Sequence, residues 1–260
     1  MAFKTWKTGV HIQQDKVLAV ALVREKSGWG LRRWWQLPLA KGIIRDGQIL
    51  QPEQLAAALR EWRQLLPHQH QIFLAFPAAR TLQRTLPRPA MTLRDSEQTA
   101  WIASALSREL EMAPDTLRFD YAEDTFSQTF QVTAAQNKEI DALLELARVL
   151  RLQLTTITPD AGALAHLLPF VQAPAQCVAW RDRDQWLWAM RHQWGRRALA
   201  EAPDVERLAA LLALRVEEIA CCDMASFDPW CVVPHRQPPL PENGADFSVA
   251  LALAAGGNPV

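Results

Sequence analysis

The hydrophobic pattern of the chain passes twice through the same order, a meander of three short strands followed by a helix. This doubling is what most limits the folds open to it. In the first pass, Gly9–Ile12, Val17–Val23 and Gly30–Pro38 are apolar runs separated by polar turns, the last centred on Ser27-Gly28. Arg45-Asp46-Gly47 is a further turn signal. Pro52-Glu53 then opens a helix on which Leu55, Leu59, Trp62 and Leu66 recur at helical spacing. The second pass starts beyond Pro169–Pro174, where two prolines flank a break in the pattern. Gln176–Trp180, Gln185–Arg191 and Trp194–Leu199 are its strands, and Asp204–Leu214 is its helix. The order implies a doubled α/β fold, although the repeat is not visible as sequence identity.

Between the two passes lies an interpolated block. After one more strand, Gln71–Phe76, it begins with the strand Thr81–Leu86 and a capping-box spacing, Thr92-x-x-Asp95. The helix that follows places Trp101, Ile102, Ala105, Leu106 and Leu110 on one face. Leu117–Ala122 and Thr129–Thr133 read as a hairpin, followed by a helix over Gln136–Leu150, a strand over Gln153–Ile157 and a short helix over Pro159–Leu168. The chain closes with a strand at Glu218–Cys222, a Pro-rich loop at Pro234–Pro241 and a helix over Ala245–Ala255 that stops at Gly256-Gly257.

With 260 residues the chain can bury a sizeable core, and with 28 basic and 28 acidic residues it carries no net field toward nucleic acid or membrane. Cys177, Cys221, Cys222 and Cys231 form no C-x-x-C pair, so no structural zinc site is expected and buried reduced thiols are. Lys4, Lys7, Asp15 and Lys16 interrupt any apolar leader, and Phe247–Ala255 is far shorter than the ~20 residues of a membrane span. The expectation is a soluble chain that meets a membrane only through a partner.

Several constellations have a chemical and a plain reading. His68-x-His70 has the look of a metal pair but no acidic or thiol neighbour in sequence, so solvated loop histidines are expected. His11 in an apolar strand reads as a satisfied core residue rather than a base. Asp182 and Asp184 read as turn formers rather than an acid–base pair. The basic-aromatic stretch Arg24–Arg45 offers the best nucleic-acid signal, yet two alternating strands with tryptophans turned inward explain it better. Of eleven tryptophans, Trp180, Trp186, Trp188 and Trp194 fall on the second meander, with Trp186 and Trp188 on one sheet face. Core filling is preferred for them over a contact surface.

Four stretches, in order, carry a family resemblance: Gly9–Val20, Ile43–Glu53, Ala113-Pro114 with Asp120-Tyr121, and Lys138–Leu164. Over roughly residues 8–200 the chain resembles the PilM-like type IV pilus assembly proteins and, more closely, the HofM DNA-utilization family. The resemblance implies an actin-like (ribonuclease-H-like) α/β fold of two lobes. The first lobe would comprise 1–80 and 159–170, an inserted α/β subdomain 81–158, and a truncated second lobe 171–260. Actin-like ATPases cradle phosphates with glycine-containing turns and hold the metal through an aspartate. Here His11 stands at the family's Asp position, Gln13 at its Gly position and Leu18 at its Lys position. The second loop reads Arg181-Asp182-Arg183-Asp184, without glycine.

The resemblance and its departures together imply a pseudo-ATPase, with no catalytic residue, cofactor or metal. It would be a cytoplasmic scaffold at the inner face of the inner membrane, binding the cytoplasmic tail of a PilN-like (HofN) membrane protein, with self-association open as a second mode. The tail is expected in a groove around Phe76, Arg84, Arg88 and Trp101. No direct nucleic-acid contact is expected. The alternatives are an actin-superfamily ATPase and a DNA-binding protein of the uptake machinery.

Overall fold

A computed structural model describes residues 5–91, 93–124, 127–223, 225–236 and 239–256. The chain forms two compact units, Met1–Ala79 with Leu146–Val260, and Arg80–Glu145.

In the larger unit, β1 (Trp6–Ile12), β2 (Lys16–Glu25) and β3 (Gly28–Pro38) make the expected antiparallel meander. The turn at Asp46-Gly47 joins β4 (Ile44–Arg45) to β5 (Gln48–Ile49), and both turn residues have positive φ, 49° and 76°. Helix α1 (Pro52–Leu65) follows, with Pro at its first turn and Leu55, Ala56, Leu59 and Trp62 buried. Strand β6 (His70–Phe76) then runs parallel to β1.

In the smaller unit, β7 (Leu82–Pro87), β8 (Leu117–Asp124) and β9 (Thr129–Gln136) form an antiparallel sheet in the order β7-β9-β8. One face is covered by α2 (Asp95–Leu110), whose Ile102, Ala105 and Leu106 pack on Leu86, Phe130, Val132 and Ala134. The expected Thr92-x-x-Asp95 cap falls partly outside the described residues at Thr92. The start of α2 is closed instead by the Glu97 carboxylate, which accepts the Arg94 backbone N–H at 2.9 Å. Helix α3 (Asn137–Val149) leads back to the larger unit.

There β10 (Leu154–Pro159) pairs parallel with β6, so the first sheet runs β10-β6-β1-β2-β3-β15, ending on β15 (His235–Arg236). The sequence grouped β10 with the interpolated block and β15 with a second lobe. Both add to the first sheet, because parallel pairing joins strands remote in sequence. Helix α4 (Asp160–Ala163) and a 3₁₀ segment, Leu164–Phe170, connect to the second meander of β11 (Cys177–Arg181), β12 (Gln185–Ala189) and β13 (Trp194–Ala198). Helix α5 (Val205–Leu211) follows, its Asp204 cap accepting the Arg207 N–H at 2.8 Å, and β14 (Ile219–Cys221) pairs parallel with β11.

One core spans both sheets of the larger unit. Leu18, Val20, Leu22 and Phe73 from the first sheet share it with Val178, Trp180 and Leu187 from the second. Between them lies α6 (Ser248–Gly256), buried all round from Ser248 to Ala254, which is what its uniformly apolar sequence demands. On β2 the alternate residues Val17, Ala19, Ala21 and Val23 are equally buried, so this central strand is covered on both faces. Trp186 and Trp188 face the other side of the second sheet with Cys177, Ala179 and Leu208, filling a smaller core as expected.

Candidate functional site

Two hairpin turns of the larger unit converge on one cavity. The β1–β2 turn closes with the Gln13 N–H donating to Lys16 O at 2.9 Å, and the β11–β12 turn with the Asp182 N–H donating to Gln185 O at 2.8 Å. The space between them, ≈ 290 Å³, is lined by both turns and by Asp46, Pro77, Asp160 and Arg196. An Arg183 guanidinium reaches across it to the Asp15 carboxylate at 2.7 Å, tying one turn to the other. Next to the first turn Lys16 pairs with Asp246 at 2.6 Å.

His11 and Gln13 face this cavity, as their place in the turn predicts. His11 is buried, with its ring edge-on to Trp180 at 5.6 Å and Nδ1 3.4 Å from the Gln13 amide nitrogen. Burial, and secondly the charge of Lys16, push its imidazolium down to about 3, so the ring is neutral at any physiological pH. Leu18 sits opposite His11 on β2 and is wholly buried in the core, away from the cavity lining. Arg181 is exposed and lies over the Trp186 ring at 5.9 Å. Arg183 therefore carries the second loop's contact.

The sequence reading missed Asp160, the most constrained carboxylate of the cavity. It is 5% exposed, and its Oδ1 accepts the backbone N–H groups of Ala78 at 2.8 Å and Ala161 at 2.6 Å. Burial raises its carboxyl to about 7 against those two hydrogen bonds, with the Asp182 charge adding to the rise and Arg196 opposing it. A Pro159-Asp160 pair at the start of a helix is the one local signal that could have flagged it. Asp182 is also held above the usual carboxylate range, first by burial, and is half-buried rather than the solvent-facing turn former expected. Asp15, Asp46, Asp160, Asp182 and Asp184 line the cavity beside Arg183 and Arg196, so that even with Asp160 counted as neutral the lining carries more carboxylates than guanidiniums. That balance repels phosphate oxygens. Among the described residues no cluster of three or more His, Cys, Asp and Glu has the geometry to hold a metal ion.

The other candidate residues fall elsewhere. Phe76 ends β6 in the larger unit and is buried. Arg84 pairs with Glu109 of α2 at 2.7 Å. Arg88 pairs with Glu123 at 2.5 Å and lies over the Phe130 ring at 5.8 Å. Trp101 is half-buried, its ring tilted against Phe130 at 6.2 Å. The smaller unit thus gathers Arg84, Arg88 and Trp101 around the edge strand β7 and its covering helix. His70 is a correction. It is fully buried rather than solvated, its Nδ1–H donating to Pro67 O at 2.8 Å and its Nε2 accepting the Gln153 N–H at 3.2 Å. In the basic-aromatic hairpin, Trp29 and Trp35 are buried and the half-buried Trp34 donates its indole N–H to Pro239 O at 2.7 Å. Two of the hairpin's three rings are thus closed to base stacking, and the third is partly covered.

Two sheets sharing a core helix, with paired hairpin turns facing a cavity, define an actin-like α/β protein in which the turns are tied to each other. The solved PilM of a PilM-PilN type IV pilus biogenesis complex has this fold, with a TM-score of 0.69 at 16% identity over 98% of both chains. So does the cytoplasmic domain of EpsL, an inner membrane component of the type II secretion system of Vibrio cholerae, with a TM-score of 0.55 at 13% identity over 94% of both. No protein-family model matches the chain. It is 52% identical over 256 residues to the DNA utilization protein HofM of Escherichia coli (strain K12), covering 98% of this chain and 99% of that protein. The chain belongs to the HofM family.

Proposed function

We propose that the chain is a non-catalytic scaffold of a type IV pilus-like, DNA-uptake assembly at the cytoplasmic face of the inner membrane. The observation that carries the non-catalytic part is the Arg183–Asp15 pair between the two turns, inside a cavity where five aspartates face two arginines. In an actin-like nucleotide site, glycine backbone in both turns approaches the phosphates. Here Gln13 and Arg183 put side chains into that approach, and neutral His11 supplies no carboxylate for Mg²⁺. Calorimetry with ATP and Mg²⁺ at roughly millimolar concentration, near the upper end of ordinary substrate affinities, is expected to show no binding. Micromolar, Mg²⁺-dependent binding returns the protein to the ATPases.

The partner in this reading is the cytoplasmic tail of a PilN-like, HofN-type membrane protein. The fold is that of a PilM solved with PilN, and among the described residues no helix is long and apolar enough to cross a membrane. The tail would add as a strand to the edge of β7, an end strand of its sheet, with Trp101 as apolar anchor and Arg84 and Arg88 exchanging their own acidic partners for those of the tail. A fluorescence titration of the whole chain with the first residues of the partner, roughly 25 for a strand with flanks, tests it. Wild type is expected to bind, and Arg84→Glu to bind at least tenfold more weakly. A wild type that does not bind removes the scaffold reading, and an Arg84→Glu chain that binds as well as wild type moves the site off β7.

A further inference from the structure

The cations of the basic-aromatic hairpin converge, independently of the tail reading, on a feature that reading leaves unused. Strands β2 and β3 are in register from Lys16–Pro38 to Ala21–Arg33, and again from Leu22–Leu31 onward, so Arg32 is an inserted residue opposite none. Such a bulge breaks the two-residue alternation of the strand. As a result Arg32 and Arg33 are both exposed, instead of one turning into the core. The bulge aims Arg32 into an open pocket of ≈ 870 Å³ at the hairpin tip, which Arg24, Lys26 and Ser27 also line, with His235 arriving from β15.

We propose that this pocket is a phosphate site through which the protein rests directly on the headgroups of an anionic membrane. The pocket brings together the cations Arg24, Lys26 and Arg32, and its one carboxylate, Glu25, pairs with Arg32 at 3.1 Å, so the lining keeps an excess of positive charge carried by Arg24 and Lys26. Ser27 Oγ and His235 Nε2 are 2.7 Å apart, adding a hydroxyl and an imidazole to the wall. The Arg24 guanidinium lies 5.1 Å from the centre of the Trp29 ring, and Lys7 Nζ 5.5 Å from the same ring, so two cations share one aromatic support. Burial, and secondly the charge of Arg24, lower the proton affinity of Lys7. Nucleic acid fits less well. Trp29 and Trp35 are buried and Trp34 is half-buried against Phe247, so bases find little to stack on, and three pocket cations fall short of the roughly 6–10 phosphate contacts that hold a duplex against salt. An anionic membrane surface suits the pocket better, since each Lys or Arg held near it adds about 1 kcal/mol without any need for stacking.

Co-sedimentation of the full chain with phosphatidylcholine vesicles containing roughly 30% phosphatidylglycerol, in about 0.1 M salt where the Debye length is near 10 Å, tests this. The chain is expected to pellet with these vesicles and not with pure phosphatidylcholine. Arg24→Glu/Arg32→Glu is expected to reduce the bound fraction at least tenfold. Lys26→Glu, which disturbs no packed residue, is expected to reduce it severalfold with an unchanged melting curve. Exposed Arg215→Glu, outside the pocket lining, serves as the charge control and should pellet as wild type does. No retention on anionic vesicles overturns the proposal, as does equal retention of the wild type and the Lys26→Glu and double variants. Inorganic phosphate that stabilises the chain without vesicle retention overturns the membrane assignment in favour of a free phosphate. Retention on duplex DNA but not on vesicles overturns it in favour of nucleic acid.

Discussion

Gly9→Ala is expected to prevent folding or to lower the melting temperature by about 10 °C or more, a loss on the order of 4 kcal/mol in a chain of this size. Gly9 lies on β1 where α6 crosses it. A Cβ there would sit 1.9 Å from the Ala250 carbonyl oxygen and 2.8 Å from the Ala254 backbone nitrogen. Both are backbone atoms of a helix packed between two sheets, so neither can swing aside as a side-chain tip would. The helix itself would have to move, and with it the residues that join the two sheets. Gly162→Ala is the comparison. Its nearest neighbours are Trp194 ring atoms at 3.4–3.5 Å, ordinary contact distance, and it sits in α4, where alanine is the better helix former. It should melt within a degree or two of wild type. A Gly9→Ala chain as stable as Gly162→Ala would mean that α6 does not approach β1 so closely.

What the sequence made legible was local. The meanders, α1 with its Pro52 start, the Asp46-Gly47 turn and the apolar C-terminal helix all follow from periodicity and turn chemistry that a short window contains. What it hid depends on residues far apart. The Arg183–Asp15 pair joins positions 168 residues apart, and Ala78 meets Asp160 across 82. The parallel pairing of β10 on β6 leaves no mark in either strand, so the end of the interpolated block could not be placed. His70 looked solvated because Pro67, His68 and Gln69 around it are loop-like. Its burial comes from Gln153, on a segment 83 residues away. The bulge at Arg32 was invisible for a related reason: alternation read on β3 alone gives no hint of a slip in register against β2. Thus the two turns of the cavity were found from the resemblance, while the pair that ties them and the aspartate beneath them were not.

That aspartate makes the stability of the protein depend on pH in a direction opposite to most carboxylates. In the unfolded chain Asp160 ionises near 3.8, whereas burial raises it to about 7 in the fold. Between those values the folded state holds the proton and the unfolded state does not, so stability falls as pH rises. The contribution is fully present below about pH 4 and lost as pH passes through 7, with a span on the order of 4 kcal/mol from the roughly three-unit separation. Asp160→Asn is expected to abolish this dependence. The amide keeps a carbonyl oxygen to accept the Ala78 and Ala161 N–H groups and carries no charge to desolvate. Urea midpoints at pH 5 and pH 8, bracketing the upper value, give the test. The variant should exceed wild type already at pH 5, which lies above the unfolded value, and by clearly more at pH 8. Asp182, whose carboxyl is also raised, adds a slope of its own, and the loss of its repulsion with an ionised Asp160 shifts the difference at pH 8 in the same direction, in favour of the variant. Asp160→Ala should lie about 1–3 kcal/mol below Asp160→Asn at both pH values, because it leaves two buried N–H groups without an acceptor. If the asparagine chain is weaker than wild type by the same amount at pH 5 and pH 8, the carboxyl is ionised throughout, and its charge is held by the N–H groups and Arg196 rather than driven off by burial.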